Sequence, residues 1–361
     1  MRLSLLDRLY EQPGPWAAVY LDTSRDVADP ERATALRWRH LRDDLVAGGA
    51  DEATVEALAD VVGADRAVAG RHGQALFAAR GRLVLAGELP EPPPRDVARF
   101  GRLPHALPLA VQCAPDIPYA VVALELLAGG ETEGPAEVVA AVENGRWPLS
   151  RVLPGPCEVH RVPAGAWRRA APDLARQVEE LAGRGDAEVV VVSAGAGAEE
   201  ARGVLVNRLP RRVRETLVTV PGAAVAEEGR ALLETGLLGL LAGRLNADDH
   251  RRLHRYGAQR DRRPRASEGL PAVVSALQRG LAEAVFVTAP PRIAARLWAG
   301  AEPPQIALTE EELRAFRAVD VREEAGEDAL LWSVMGTGAE LVVVPEELLS
   351  VPDGVGVLLR E

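Results

Sequence analysis

Two periods of apolar and polar positions run through this chain and mark out its elements. Val189-Val190-Val191-Val192 has no polar alternation and lies between Asp186 and Ser193. Such a run predicts a strand buried on both faces, as parallel strands under helices are. Before it, Leu174, Val178 and Leu181 fall at helical spacing; behind it a Gly/Ala turn opens a helix at Glu199 and Glu200, whose charges suit the positive end of its dipole. A β-rich run from Thr216 to Val220 follows. Upstream, Pro118 to Leu126, Glu137 to Glu143 and Cys157 to Val162 stand at meander spacing. Three antiparallel strands and then β–α–β predict a mixed sheet resembling the ribonuclease H topology.

Toward the N-terminus, Trp16 to Leu21 predicts a strand ended by Asp22-Thr23-Ser24. A helix follows from about Glu31, with Ala35, Trp38, Leu41 and Leu45 on one face, and another from the N-cap candidate Asp51. Gln74–Ala79 and Arg82–Gly87 predict a hairpin turning at Arg80-Gly81. His72-Gly73-Gln74 reads as a turn at the hairpin's entrance, and Pro90, Pro92, Pro93 and Pro94 as a stiff connector. Past the middle segment, a long helical run is expected from Ala223 to about Tyr256, with Leu233, Leu237, Leu240 and Leu241 on one face. After Pro264 come a helix over Glu268–Leu277 and strands at Glu283–Thr288, Leu330–Val334, Leu341–Val344 and Val355–Leu359. The expected architecture is α/β in three domains. These are a mixed-sheet N-terminal α/β domain (1–115), a ribonuclease H-like middle domain with a long exit helix (116–263) and a small α/β/α sandwich (264–361).

Composition narrows the chemistry. The chain has no lysine, so all 42 basic residues are arginine. A P-loop and a Schiff-base mechanism both need lysine and are excluded. No apolar run approaches the length of a membrane span, Met1 to Asp7 is too short for a signal peptide, and Cys113 and Cys157 are few and far apart. A reducing cytoplasm is the expected compartment. The net charge of −11 argues against wholesale coating of nucleic acid, but residues 250–265 carry seven arginines against one aspartate, or +6. This run reads either as a solvated connector or as a phosphate-binding strip in which His254 and Tyr256 could stack on bases.

Other candidates are weaker. Gly195 and Gly197 imitate a dinucleotide loop, but the third glycine is missing and two glutamates stand where pyrophosphate would sit. His250 and His254 have metal-ligand spacing, yet Arg251 and Arg252 lie between them and repel a cation. No G-x-S-x-G elbow occurs, and Glu125 is a lone candidate acid where a metal nuclease needs several. No metal or cofactor is expected.

Three further patterns point to a family. Glu268-Gly269-Leu270, with Val274, Ala276-Leu277, Gly280 and Val285-Phe286-Val287, resembles the start of the third domain in the archaeal/eukaryotic-type peptide-chain release factors and Pelota. Gly336-Thr337-Gly338-Ala339-Glu340-Leu341-Val342 and Gly354-Val355-Gly356-Val357-Leu358-Leu359-Arg360 are similar to the C-terminus of their bacterial relatives, the branch of the Balon-like ribosome hibernation factors. Val19-Tyr20-Leu21-Asp22 and Ala75-Leu76-Phe77 fit as well. Release factors of this family carry Gly-Gly-Gln between the third middle strand and the next helix; the matching loop here is Pro163-Ala164-Gly165-Ala166, and the tripeptide is absent.

The resemblance therefore implies a non-catalytic factor in the ribosomal A site, acting in hibernation or stalled-ribosome rescue, with elongation factor Tu as a partner. RNA contacts are expected from His160, Arg161, Arg168 and Arg169 around that loop and from Arg251, Arg252 and Arg255 on the exit helix. Two alternatives stand beside it: a hydrolase acting on peptidyl-tRNA or tRNA through a non-standard loop, and a stress protein that does not bind ribosomes.

Overall fold

The computed structural model describes residues 4–129, 135–221 and 234–360. Two compact units divide the chain, one of residues 1–115 with 247–361 and the other of residues 116–246.

After helix α1 (Ser4–Tyr10), strand β1 (Trp16–Asp22) is buried except at Asp22. It pairs antiparallel with β2 (Gly73–Ala79) and with β4 (Val97–Gly101), and β2 pairs with β3 (Arg82–Leu89), giving the order β3-β2-β1-β4. The sheet is antiparallel throughout, where a mixed one was expected. The hairpin turns as predicted, Arg80 and Gly81 both taking positive φ, the conformation a two-residue turn between twisted strands requires. Helix α2 (Pro30–Ala47) starts on the Asp29 side chain and α3 (Glu52–Ala59) on that of Asp51, which accepts the Thr54 N–H at 2.9 Å. Leu41, Leu45, Val55 and Leu58 from these helices close over Ala17, Val19, Leu21 and Leu76. Helix α4 (Leu107–Cys113) follows β4, the one strand of this sheet that the proline cluster hid from the sequence reading.

The middle unit is built on β5 (Ile117–Leu127), β6 (Glu137–Trp147), β7 (Cys157–Pro163), β8 (Val189–Ala194) and β9 (Leu217–Pro221), in the order β7-β6-β5-β8-β9. The first three are antiparallel, while β8 runs parallel to both β5 and β9. The valine strand is thus central and wholly buried. One face of the sheet packs under α5 (Trp167–Arg184), α6 (Glu199–Val206) and α7 (Arg211–Glu215); the other meets Leu237 and Leu241 of α8 (Glu234–Leu241). A Cβ built on Gly155, in the loop before β7, would lie 1.9 Å from the Asn144 carbonyl oxygen. Gly155→Ala is therefore expected to destabilise the protein by about 1–3 kcal/mol, as overpacking does, read as a lower urea midpoint.

The single helix expected to leave this unit is interrupted. Gly243, at φ 72°, ends α8, and a new helix, α9 (Ala247–Arg262), begins four residues later. Residues 223–233 of the expected run lie outside the described residues. Helix α9 belongs to the unit of residues 1–115 and 247–361.

The chain then forms α10 (Leu270–Gln278), β10 (Ala282–Ala289), β11 (Arg296–Ala299), β12 (Ile306–Ala307), α11 (Glu310–Ala315), β13 (Arg322–Ala325), α12 (Gly326–Thr337), β14 (Glu340–Pro345) and β15 (Val355–Leu359). Strand β10 lies between parallel β14 and antiparallel β15, and β11 between β12 and β13 in a second small sheet. Leu330–Val334, expected as a strand, lies within helix α12. Its apolar residues are buried nearly all round, so the run carries no visible period, but Glu327 and Asp328 in the first turn and left-handed Gly338 at the end are helix signals. Gly356 has a different role: a Cβ there would lie 2.6 Å from the Tyr256 hydroxyl, so glycine lets α9 seat this buried ring against Phe286. Burial pushes the Tyr256 phenol up to about 12. Gly356, one of the glycines that carried the family resemblance, is thus a packing device.

Candidate nucleic-acid interface

Strand β7 sets the geometry around the Pro163–Ala166 loop. Alternation along it puts Glu158, His160 and Val162 on the face covered by α5, where Glu158 accepts from Gln177 and Val162 joins the core. Val159, Arg161 and Pro163 face the other way. His160 is consequently half-buried, its Nε2 out of contact with water and without a hydrogen-bond partner. Arg161 is exposed, 4.0 Å from Glu137. The loop itself is one 3-10 turn, Ala164–Ala166, tied back where the Ala164 N–H donates to the Ala136 carbonyl at 2.8 Å. Trp167 then anchors α5: it is buried, and its indole N–H donates to the Ala201 carbonyl at 2.9 Å.

The next two residues point into solvent. Arg168 meets Glu200 at 2.9 Å, a pair so exposed that it contributes little. Arg169 is exposed and, among the described residues, has no carboxylate partner. Pro163, Ala164, Gly165 and Ala166 carry no side chain that could position water or take up a proton.

The three α9 arginines expected to contact RNA are in the other unit, and each faces an acid. Arg251 pairs with Asp248 one turn earlier; Arg252 reaches buried Asp249 at 3.0 Å and Glu340 at 3.9 Å; Arg255 grips both oxygens of Glu283 at 2.5 and 2.8 Å. Asp248 and Asp249 were visible in the sequence at i−3. Glu283 and Glu340 come from strands and were not.

Two polar clusters escaped the sequence reading. His72-Gly73-Gln74 is no turn: Gly73 starts β2, and the Gln74 side chain is buried, accepting the Gly63 N–H and donating to the Val61 carbonyl. The His72 Nε2 sits 2.9 Å from Asp65, which also accepts the Thr23 hydroxyl. The second cluster lines a cleft of about 650 Å³ beside β4 and α12. There the His105 Nδ1 lies 2.7 Å from Asp328, Arg99 is 3.8 Å from the same carboxylate, and burial pushes the Glu327 carboxyl up. No hydroxyl or thiol nucleophile lines it. Among the described residues, no group of three or more His, Cys, Asp or Glu is placed to hold a metal ion, and no helix is long and apolar enough to cross a membrane.

These features define a mixed α/β protein with several sheets, whose exposed arginines stand at strand–helix turns and along one helix. Residues 123–262 match the family described as bacterial archaeo-eukaryotic release factor family 2, a span that includes the loop and all of α9. That match agrees with the release-factor resemblance carried by the motifs outside this segment. Along its whole length it is 25% identical to the uncharacterized protein Rv2629 of Mycobacterium tuberculosis, covering 97% of that protein. Among solved structures it is similar to Pelota of Archaeoglobus fulgidus (17% identity, 80% of this chain and 84% of that one, TM-score 0.32). It is also similar to an archaeal chain from a model of ribosome-bound Pelota and ABCE1 (15% identity, 99% and 94%, TM-score 0.36).

Proposed function

We propose that this protein is a ribosome-binding translation factor that occupies the A site during hibernation or stalled-ribosome rescue and cuts no ester. The observation that carries the reading is the turn at Pro163–Ala166. It lies inside the segment that matches the release-factor family, yet it offers only small apolar groups flanked by Arg161, Arg168 and Arg169. Guanidinium groups without a nucleophile or base suit binding to phosphate rather than hydrolysis.

In this reading the chain works in the cytoplasm as three modules, residues 1–115, 116–263 and 264–361, the middle one ribonuclease H-like. The strand order β7-β6-β5-β8-β9 supports that likeness. His160, Arg161, Arg168 and Arg169 contact rRNA from one module, and Arg251, Arg252 and Arg255 from the exit helix after exchanging their acidic partners for phosphate. Elongation factor Tu is the proposed partner, by analogy with Balon-like factors.

Co-sedimentation with 70S particles tests this. The protein is expected to pellet with ribosomes at low salt and to be released as salt rises. Arg161→Ala/Arg169→Ala should weaken binding and lower the slope of log affinity on log salt by about 1.4, taking about 0.7 per lost contact. Failure of the wild type to pellet at low ionic strength refutes the reading, as does multiple turnover on a peptidyl-tRNA ester.

A further inference from the structure

At the end of α9 and beyond it lies a set of cations that, among the described residues, no acid answers. Of the seven arginines in residues 250–265, Arg251, Arg252, Arg255 and Arg260 are ion-paired. Arg262, Arg263 and Arg265 are exposed and, among the described residues, have no carboxylate partner; the same is true of Arg279, just past α10. Arg360 is also exposed, and among the described residues its guanidinium donates only to the carbonyls of Gly280, Thr337 and Gly338, at 3.3–3.5 Å. Carbonyls satisfy its N–H groups without cancelling its charge.

Arg265 and Arg279 border one hollow. Its other walls are Pro271, Ala272, Ser275 and Ala276 of α10, with Leu281 and Leu359, and its volume is about 290 Å³. Leu281 is 45% exposed. The hollow is therefore largely apolar-walled and bordered by two guanidinium groups without an acidic partner among the described residues, and its volume falls just short of the about 300 Å³ at which ligand sites begin. Two guanidinium groups on one hollow with no acidic partner among the described residues make a local positive field suited to an anion.

We infer that this surface binds single-stranded RNA, with one unstacked base in the Arg265–Arg279 hollow and the flanking phosphates on Arg262, Arg263 and Arg360. A guanidinium can both stack on a base and grip phosphate, and splayed-out bases in loops are the usual targets of RNA readers. The inference deepens the ribosome-binding reading by naming a second contact surface, apart from the middle-unit turn.

The test is fluorescence anisotropy of the full-length protein with a labelled single-stranded RNA decamer, an abasic strand of equal length, and polyglutamate as competitor. Arg265→Gln/Arg279→Gln is expected to bind the decamer about tenfold more weakly, with a salt slope lower by about 1.4. Ser275→Phe fills the hollow and leaves the charge alone; it should abolish the wild type's preference for the decamer over the abasic strand. Thermal melts of both variants identify a folding defect, in which case Arg262→Gln/Arg263→Gln on the exposed rim takes the place of the charge variant. Unchanged affinity and slope in the charge variant overturn the inference. So does competition by polyglutamate equal to that by RNA, which would mark an acidic protein partner. Ribosome pelleting of the same variants separates the two readings: a wild type that binds the decamer but ignores ribosomes refutes the function and leaves this site standing.

Discussion

Asp65→Ala is expected to destabilise the protein by about 3–5 kcal/mol, the cost of leaving a buried charge without its partner. The side chains of Asp65 and His72 are both 0% exposed. One Asp65 oxygen takes the Thr23 hydroxyl at 2.5 Å and the His72 Nε2 at 2.9 Å, while the His72 Nδ1 faces the Gly70 carbonyl at 3.1 Å. Both ring nitrogens therefore meet acceptors, which only an imidazolium satisfies.

Burial works against the charge on each partner, but the hydrogen bonds and the mutual attraction outweigh it. The His72 imidazole is held above its ordinary value of 6.5 and the Asp65 carboxyl below its ordinary 3.8. The signs follow from linkage. A raised histidine stabilises fully below 6.5 and loses that contribution as pH rises through the folded-state value. A depressed aspartate stabilises fully above 3.8 and loses its contribution as pH falls through the folded-state value. The pair thus contributes most between these two values. Urea unfolding of wild type and His72→Gln across pH 5 to 9 reads this directly. The gap between them should narrow as pH rises, and a constant gap would show that the imidazole is not charged.

Trp167→Ala should cost about 3–5 kcal/mol, as buried tryptophan truncations do. The ring is 4% exposed and lies in the core that joins α5 to β5, β6 and β8. Trp167→Phe keeps most of that packing and loses the bond to the Ala201 carbonyl, so about 1–3 kcal/mol is expected. The consequence reaches the proposed interface, because Arg168 and Arg169 leave the chain from the turn this ring fixes. Hydrogen exchange at the first turn of α5 should accelerate in both variants, more in the alanine. Equal urea midpoints for alanine and wild type would show that the ring anchors nothing.

The strands and helices were legible where a period was clean. The valine strand, the Arg80-Gly81 hairpin, the Asp51 cap and the closing strand at Val355 all stand where their local patterns put them. The misses have separate physical causes. Leu330–Val334 is buried on nearly every side, so its composition says only that it is interior, and the proline cluster masked β4 beside it. His72-Gly73-Gln74 was read as a turn at the strand's entrance because of its glycine, although that glycine opens the buried strand.

For the interface, residue type was readable and availability was not. By itself the sequence determined that every cation is arginine, that a +6 run follows the middle segment, and that the loop at Pro163 has no catalytic side chain. Only the tertiary structure decided which arginines are answered by acids. Charge neutralisation acts through space: Glu283 and Glu340 arrive from strands far along the chain to meet Arg255 and Arg252, while Arg262, Arg263, Arg265 and Arg279 meet none among the described residues. Local periodicity follows from backbone geometry and can be read from neighbours; ion pairing depends on which distant surfaces the fold brings within a few ångströms.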